Sequence, residues 1–384
     1  MTARYYKLNV GKLPDDLYRP ETPASSWLQK CESTNAKSFP PNSLHKVDPI
    51  SWDVEAERII GISLYMISNV FPFLILPFLI LYIFVPASRL FIQYVSLYVV
   101  ILAVIEFAFF KPHFRRKYKL DADNLHGGST EGMKRYQYAY TERNITKYLS
   151  MNFVWPQSIH RPAMESTPLL FCIVPHGVAP FGITAYPLWS KLFNDRLCRW
   201  TCAPVVLKIP LVSTLMRNIG YIPAKAKNIL ETLTKREENV GVILDGIAGM
   251  FHQSKHEERA YLKKRKGIVK IALRAGAPIV PVYGFGHTEM YTVVVDPFGI
   301  LERLSHMLEA SLTPFFGRFG WFLGPPRRVP VVVCMGEPVV CPKVDEPSQE
   351  QIDEYHQKLL DAYEKLFNTH KEAYGWDDKK LIFV

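Results

Sequence analysis

The chain has 384 residues, a formal net charge of +10, and 48% hydrophobic and 13% aromatic residues. That hydrophobic share excludes an intrinsically disordered chain, and the length allows one large domain or two modest ones. The positive balance favours anionic partners such as lipid surfaces or phosphorylated cofactors, while the basic residues match no DNA- or RNA-reading motif, so no nucleic-acid partner is expected.

Residues 1–55 are polar and contain proline, and read as an N-terminal cytosolic arm that is mobile or lies on a surface. The opening MTARYYKLN lacks the apolar core of a signal peptide. Ile59 to Ser88 then runs without a charged residue, and Leu90 to Phe110 is apolar apart from Glu106. A bilayer core takes about 20 apolar residues per helix. Residues 56–111 therefore predict a membrane hairpin, either two full spans or one re-entrant loop, turned at Val85-Pro86-Ala87-Ser88-Arg89. Pro72 and Pro77 predict kinks in its first half, which also repeats Phe73-Leu74-Ile75-Leu76 as Phe78-Leu79-Ile80-Leu81.

Lys111, Arg115, Arg116, Lys117 and Lys119 follow at once, against Arg89 alone in the turn. The positive-inside bias puts both flanks of the hairpin in the cytosol. On that topology the Asn144-Ile145-Thr146 sequon never meets a lumen. The six scattered cysteines form no CxxC pair and are expected to stay reduced.

Residues 112–384 change pattern. Strands are expected at Leu169–Val174, Ala203–Leu207, Val240–Leu244, Pro278–Phe285 and Val329–Met335. Helical stretches lie near 183–194, 210–219, 226–238 and 264–275. Short apolar runs alternating with helices predict an α/β domain with a mostly parallel sheet. The last helix is clearest: Ser348-Gln349-Glu350-Gln351 reads as a capping box, and Gly375 can end the helix. Ile352, Tyr355, Leu359, Ala362 and Leu366 fall on one of its faces.

Three clusters carry chemistry. Pro175-His176-Gly177 ends the apolar run Phe171-Cys172-Ile173-Val174, and open α/β sheets bind ligands at the carboxyl ends of their strands. An imidazole there can serve as a base, and glycine lets a substrate come close, although a lone histidine more often serves structure. Lys263-Lys264-Arg265-Lys266-Gly267, with Lys270 and Arg274, forms the second cluster. Lys266, Lys270 and Arg274 share a helix face near its N-terminus, which suits phosphates, an anionic lipid or a solvated surface. The third is Gly284-Phe285-Gly286-His287-Thr288-Glu289, a loop past another strand. There is no GxGxxG and no phosphate-binding GxxxxGK, and His252 and His256 lack an HExxH frame, so no metal is expected.

Taken together, these clusters resemble the type-2 diacylglycerol acyltransferase family, whose members include monoacylglycerol and wax-alcohol acyltransferases. RKGIVKIALRAGAPIVPVYGFGHTEMY, Arg265 to Tyr291, is similar to its RKGFVKLALRxGxxLVPxYxFG block. Gly336-Glu337-Pro338 resembles its GEP block, and Pro347 to Leu366 its closing P-x-Q-x-x-I-D-x-Y-H helix. Asn218 to Asn228 falls where the family has a GGxxP-type segment, so the likeness spans roughly residues 55 to 375.

The resemblance implies an endoplasmic-reticulum membrane enzyme with a glycerolipid-acyltransferase-like α/β domain, residues 112–384, facing the cytosol or a lipid droplet. It would move an acyl group from acyl-CoA, a co-substrate, to diacylglycerol, or alternatively to monoacylglycerol or a fatty alcohol, without cofactor or metal. A homo-oligomer is compatible with it. The doubled FLxL pattern is similar to a neutral-lipid-binding motif. His176 would act as general base, and Gly177, Arg265, Lys266, Gly267, Lys270 and Arg274 would meet acyl-CoA.

Two departures stand out. The family's HPHG is Val174-Pro175-His176-Gly177 here, so its first histidine is absent. Its GG-x-x-E is Asp245-Gly246-Ile247-Ala248-Gly249, so a glutamate is lost and an aspartate appears four residues earlier. Related glycerolipid acyltransferases use H-x4-D, but the matching position is Phe181. The acid that orients His176 is therefore expected from elsewhere, from Asp245 or, preferred, Glu289. The same departures leave open a non-catalytic lipid-binding or scaffold protein.

Overall fold

The computed structural model describes residues 4–13, 30–35, 39–49, 51, 54, 55, 58, 59, 62 and 143–384, less 184–188, 190–191, 194–195, 209–212, 214–215, 218–219, 252, 255 and 310. The hairpin expected over 56–111 lies almost wholly outside the described residues. Among those described, no helix is long and apolar enough to cross a membrane.

The strands are β1 (Arg4–Asn9), β2 (Glu32–Asn35), β3 (Asn152–Pro156), β4 (Leu170–Val174), β5 (Cys198–Cys202), β6 (Ile222–Pro223), β7 (Asn239–Ile243), β8 (Glu258–Ala260), β9 (Ile279–Phe285), β10 (Thr292–Val293), β11 (Phe315–Phe316), β12 (Val332–Met335) and β13 (Leu381–Phe383). The helices are α1 (Arg143–Tyr148), α2 (Pro162–Glu165), α3 (Ala226–Lys235), α4 (Gly246–Phe251), α5 (Gly267–Ala275), α6 (Ile300–Leu308) and α7 (Gln349–Tyr374).

Among the described residues, nine strands form one sheet in the order β2-β1-β3-β12-β9-β4-β7-β5-β6. From β9 to β6 all neighbours run parallel. The parallel core is buried on both faces, which is why β4 and β9 read as unbroken apolar runs. Leu170, Cys172 and Val174 of β4 face a core made with α3, α5 and α7, whereas Phe171 and Ile173 face Trp189 and Phe193. The Phe171 and Trp189 rings meet edge to face at 5.1 Å.

The sheet is mostly parallel but mixed: β12 runs antiparallel to β9 and parallel to β3, a direction that no local apolar pattern encodes. Two expectations need correction. The strand expected at Ala203–Leu207 is β5 instead, and Val206–Lys208 is a turn of 3-10 helix. The polar opening stretch is not simply a surface arm, because β1 pairs with β3 and carries the buried Leu8 into the core. The helices expected near 183–194 and 210–219 fall largely outside the described residues.

The last helix follows its sequence signals. Ser348 accepts from the Gln351 N–H and Gln351 reaches back to the Ser348 N–H, and Gly375 caps the other end with φ +84°. All six cysteines are free thiols.

Gly241 of β7 lies under the Trp200 ring, and a β-carbon there would overlap the indole. Gly241→Ala should cost about 1–3 kcal/mol by overpacking, seen as a lower midpoint of chemical unfolding at unchanged slope.

Candidate active site

Of three adjacent parallel strands, β4 and β7 end within one residue of each other and β9 runs two residues further. Ile173 pairs with Ile243 and Val174 with Tyr283 across the two ladders. Two residues beyond each strand stand His287, His176 and Asp245. The sheet thus brings together three polar side chains far apart in the chain, at the edge where α/β sheets bind ligands.

His176 is held by backbone groups. Its own N–H donates to both carboxylate oxygens of Asp245, at 3.0 and 2.9 Å. Its ring Nδ1 lies 2.8 Å from the Gly177 carbonyl oxygen. A carbonyl only accepts, so Nδ1 carries the proton and Nε2 of the neutral ring keeps its lone pair. Burial lowers the pKa of His176, partly offset by the bond to Gly177. Burial also raises Asp245 to about 7, against the smaller opposing pull of the His176 N–H and Arg265.

Of the two acids expected to orient the imidazole, Asp245 reaches His176 but grips its backbone rather than its ring. Glu289 is engaged elsewhere: it accepts from Trp376 Nε1 at 2.9 Å and lies 3.5 Å from Lys379 Nζ. The loop after β9 splits its side chains between two sides. His287 turns into the site, while Thr288 donates to the buried Glu258, which also takes hydrogen bonds from Tyr283 and Lys379.

His287, present in the third cluster but given no role there, is the residue the structure brings forward. It is fully buried, and its Nε2 accepts from the Gly182 N–H at 3.1 Å. A nitrogen that accepts has no proton, so Nδ1–H donates to the Pro175 carbonyl, also at 3.1 Å. Burial, and secondarily the neighbouring His176, pushes its pKa down to about 4, so it is neutral at physiological pH. Gly177 has φ +60°, and a β-carbon there would lie 2.8 Å from the His287 carbonyl oxygen. On that side the glycine makes room for the protein's own backbone rather than for a substrate. The available signal was position: His287 follows β9 as His176 follows β4.

The basic cluster divides. The Arg265 guanidinium Nη2 lies 3.5 Å from the Asp245 carbonyl, beside the three strand ends. Lys266 caps the start of α5 and pairs with Asp353 of α7 at 2.7 Å, so its charge is partly committed. Lys270 and Arg274 are exposed on α5, and Gly267 opens the helix with nothing near its missing side chain. Among the described residues no group of three or more His, Cys, Asp or Glu side chains could hold a metal ion, and His252 lies outside them.

The lost carboxylate at position 249 has a structural counterpart. A β-carbon on Gly249 would collide with the carboxylate of Asp245. The aspartate therefore occupies the volume that a side chain at 249 would enter.

A family model for diacylglycerol acyltransferase matches residues 128–384. The chain is 30% identical over 231 residues to a diacylglycerol O-acyltransferase 2-like protein 6 of Bos taurus, covering 55% of this chain and 68% of that protein. It is 34% identical over 226 residues to acyl-CoA wax alcohol acyltransferase 2 of Homo sapiens, covering 55% and 68%. It is also 30% identical over 230 residues to 2-acylglycerol O-acyltransferase 1 of Bos taurus, covering 56% and 69%.

The collision at 249 makes a testable pair. Gly249→Glu alone should destabilise the fold, whereas Gly249→Glu combined with Asp245→Gly should recover much of that loss. A double-mutant cycle on unfolding free energies should give a coupling of about 0.5–3 kcal/mol, and additivity would show that the two positions do not share one volume.

Proposed function

The chain belongs to the diacylglycerol acyltransferase family, and on that premise we propose that it is an acyl-CoA-dependent O-acyltransferase that esterifies diacylglycerol to triacylglycerol. His176 is the general base. The observation that carries this reading is the neutral His176 ring at the end of β4, with Nδ1 bonded to the Gly177 carbonyl and Nε2 left as the basic atom.

An acceptor hydroxyl is a weak nucleophile until a base takes its proton. In the proposed reaction Nε2 takes that proton as the oxygen attacks the thioester carbonyl. Backbone N–H groups near Gly177 receive the oxyanion. The intermediate then expels the CoA thiolate, which regains the proton from the His176 imidazolium, leaving ester and CoA thiol. Asp245 acts on this step indirectly, by fixing the backbone from which the imidazole hangs.

Arg265, beside Asp245, and Lys270 and Arg274, exposed on α5, supply positive charge for the phosphates of CoA, with Lys266 sharing its charge with Asp353. The apolar run of residues 56–111 would hold the enzyme in the endoplasmic-reticulum membrane, with this domain on the cytosolic side. Acceptor and acyl chain then reach the site from the bilayer.

His176→Ala should abolish labelled triacylglycerol formation from acyl-CoA and diacylglycerol while membrane insertion persists. The same assay run with monoacylglycerol and fatty alcohol identifies the acceptor. Because burial holds the His176 pKa below the ordinary 6.5, kcat/KM measured in Asp245→Asn, which removes the acid that titrates at about 7, should stay level on acidification past 6.5 and fall only below it. A limb at or above 6.5 would contradict a buried neutral base. Separately, removing the charges of Arg265 and Lys270 should raise the KM for acyl-CoA several-fold more than that for the acceptor. Equal effects would make these residues a solvated face.

A further inference from the structure

The excursion between β9 and β12 carries an apolar surface that the acyl-transfer reading does not use. Asp296 accepts from the N–H groups of Ile300 and Glu302 at 3.1 and 2.9 Å, so α6 is capped and ordered. Ile300, Leu304, Met307 and Leu308 nevertheless share one of its faces, and that face is exposed, Met307 by 79%. Phe298 precedes the helix with 78% of its surface exposed. After β11, which pairs with β10, the chain turns through Phe319, Trp321 and Phe322, each more than half exposed. The opposite side of α6 packs on α4, the helix that begins at Gly246 beside Asp245. An apolar face of this extent marks an interaction site rather than ordinary surface.

Its neighbour indicates what covers it. Arg318, in the middle of the aromatic turn, forms an ion pair with the buried Glu55 and stacks on Phe319 at 4.8 Å. Glu55 lies four residues before Ile59, where the charge-free run to Ser88 begins. Ile59 and Ile62 are helical, and Ile62 is buried in the core. The aromatic turn is thus fastened to the chain just before its longest apolar segment departs. A bilayer that accepts that segment must lie against the same side of the domain. Trp and Phe at a loop tip, beside a helix with one apolar face, have the composition of an interfacial membrane contact.

We propose that α6 and the aromatic turn around Trp321 form a bilayer-docking face whose apolar side chains insert at the headgroup–acyl boundary of a phospholipid membrane. This face holds the domain's site edge toward the lipid. The inference rests on the proposed membrane placement of residues 56–111 and not on the acyl-transfer chemistry.

The test uses the full chain in phosphatidylcholine vesicles, with an environment-sensitive fluorophore on a single added cysteine. Met307→Cys, Phe298→Cys and Trp321→Cys report on the face. Val340→Cys is the reference: Val340 is exposed beside Val339, which bridges to the first residue of β9 at the opposite end of the sheet. Cys172, Cys198, Cys334 and Cys341 are buried, and the half-buried Cys31 and Cys202 are replaced by serine in the background chain, so the added exposed cysteine is the one labelled. Quenching by a lipid-borne nitroxide should be several-fold greater at 298, 307 and 321 than at 340. The proposal is overturned if the three probes are quenched only by aqueous iodide. It is equally overturned if they are shielded from both quenchers, which would mean that a second copy or the chain's own apolar run covers the face.

Discussion

Parallel pairing of β9, β4 and β7 with both faces buried is the constraint on which the site depends. Their register ends the three strands within two residues of one another, so three loops must share a small volume. The sheet cannot supply hydrogen bonds beyond its last ladder pairs, and the loops satisfy one another instead. His287 donates to the loop after β4, Asp245 accepts from it, and Gly182 closes the set. A buried imidazole that accepts one N–H and donates to one carbonyl leaves no polar atom unpaired, which is why it can sit in the core. Glycine at 177 and 284 follows, because the histidine leaves no room for a β-carbon at either position.

That arrangement changes what a histidine base requires. A carboxylate partner both aligns the ring and stabilises its charged form. The Gly177 carbonyl aligns the ring but offers only a dipole to the imidazolium, so burial dominates and the ring stays neutral. The carboxylate is present one covalent step away, on the backbone N–H of the same residue. With its pKa near 7, Asp245 is poised between charge states around neutrality.

Much of this was legible in the sequence, and the exceptions have physical causes. β4, β9 and the capped α7 announce themselves through composition and local signals that burial and helix ends demand. β5 did not, because Arg199 interrupts its apolar pattern; the structure neutralises that charge with Glu238 at 3.0 Å, a partner 39 residues away. β1 reads as a polar arm until β3 pairs with it, since edge pairing is a long-range choice. Both acids stand past strand ends, and Glu289 looked the better one because it lies in the more fully matched block, but a turn distributes successive side chains to different sides. His287, two positions earlier, received the inward direction. The proposed base stands out as Pro175-His176-Gly177; the orientation of its ring through a carbonyl does not, because backbone partners leave no residue-type signal.

The shared volume of Asp245 and position 249 bears on history as well as on packing. Two orders of substitution connect the family's GG-x-x-E pattern with the pair found here. Gaining the aspartate while a side chain still occupies 249 forces two carboxylates into one space. Emptying 249 first avoids the collision, but passes through a chain with neither acid. On packing alone, the one-substitution-at-a-time path that avoids the overlap passes through a chain with no acid beneath the His176 loop. With the aspartate in place, a side chain at position 249 alone meets its carboxylate, so the two positions can exchange only together or in that order.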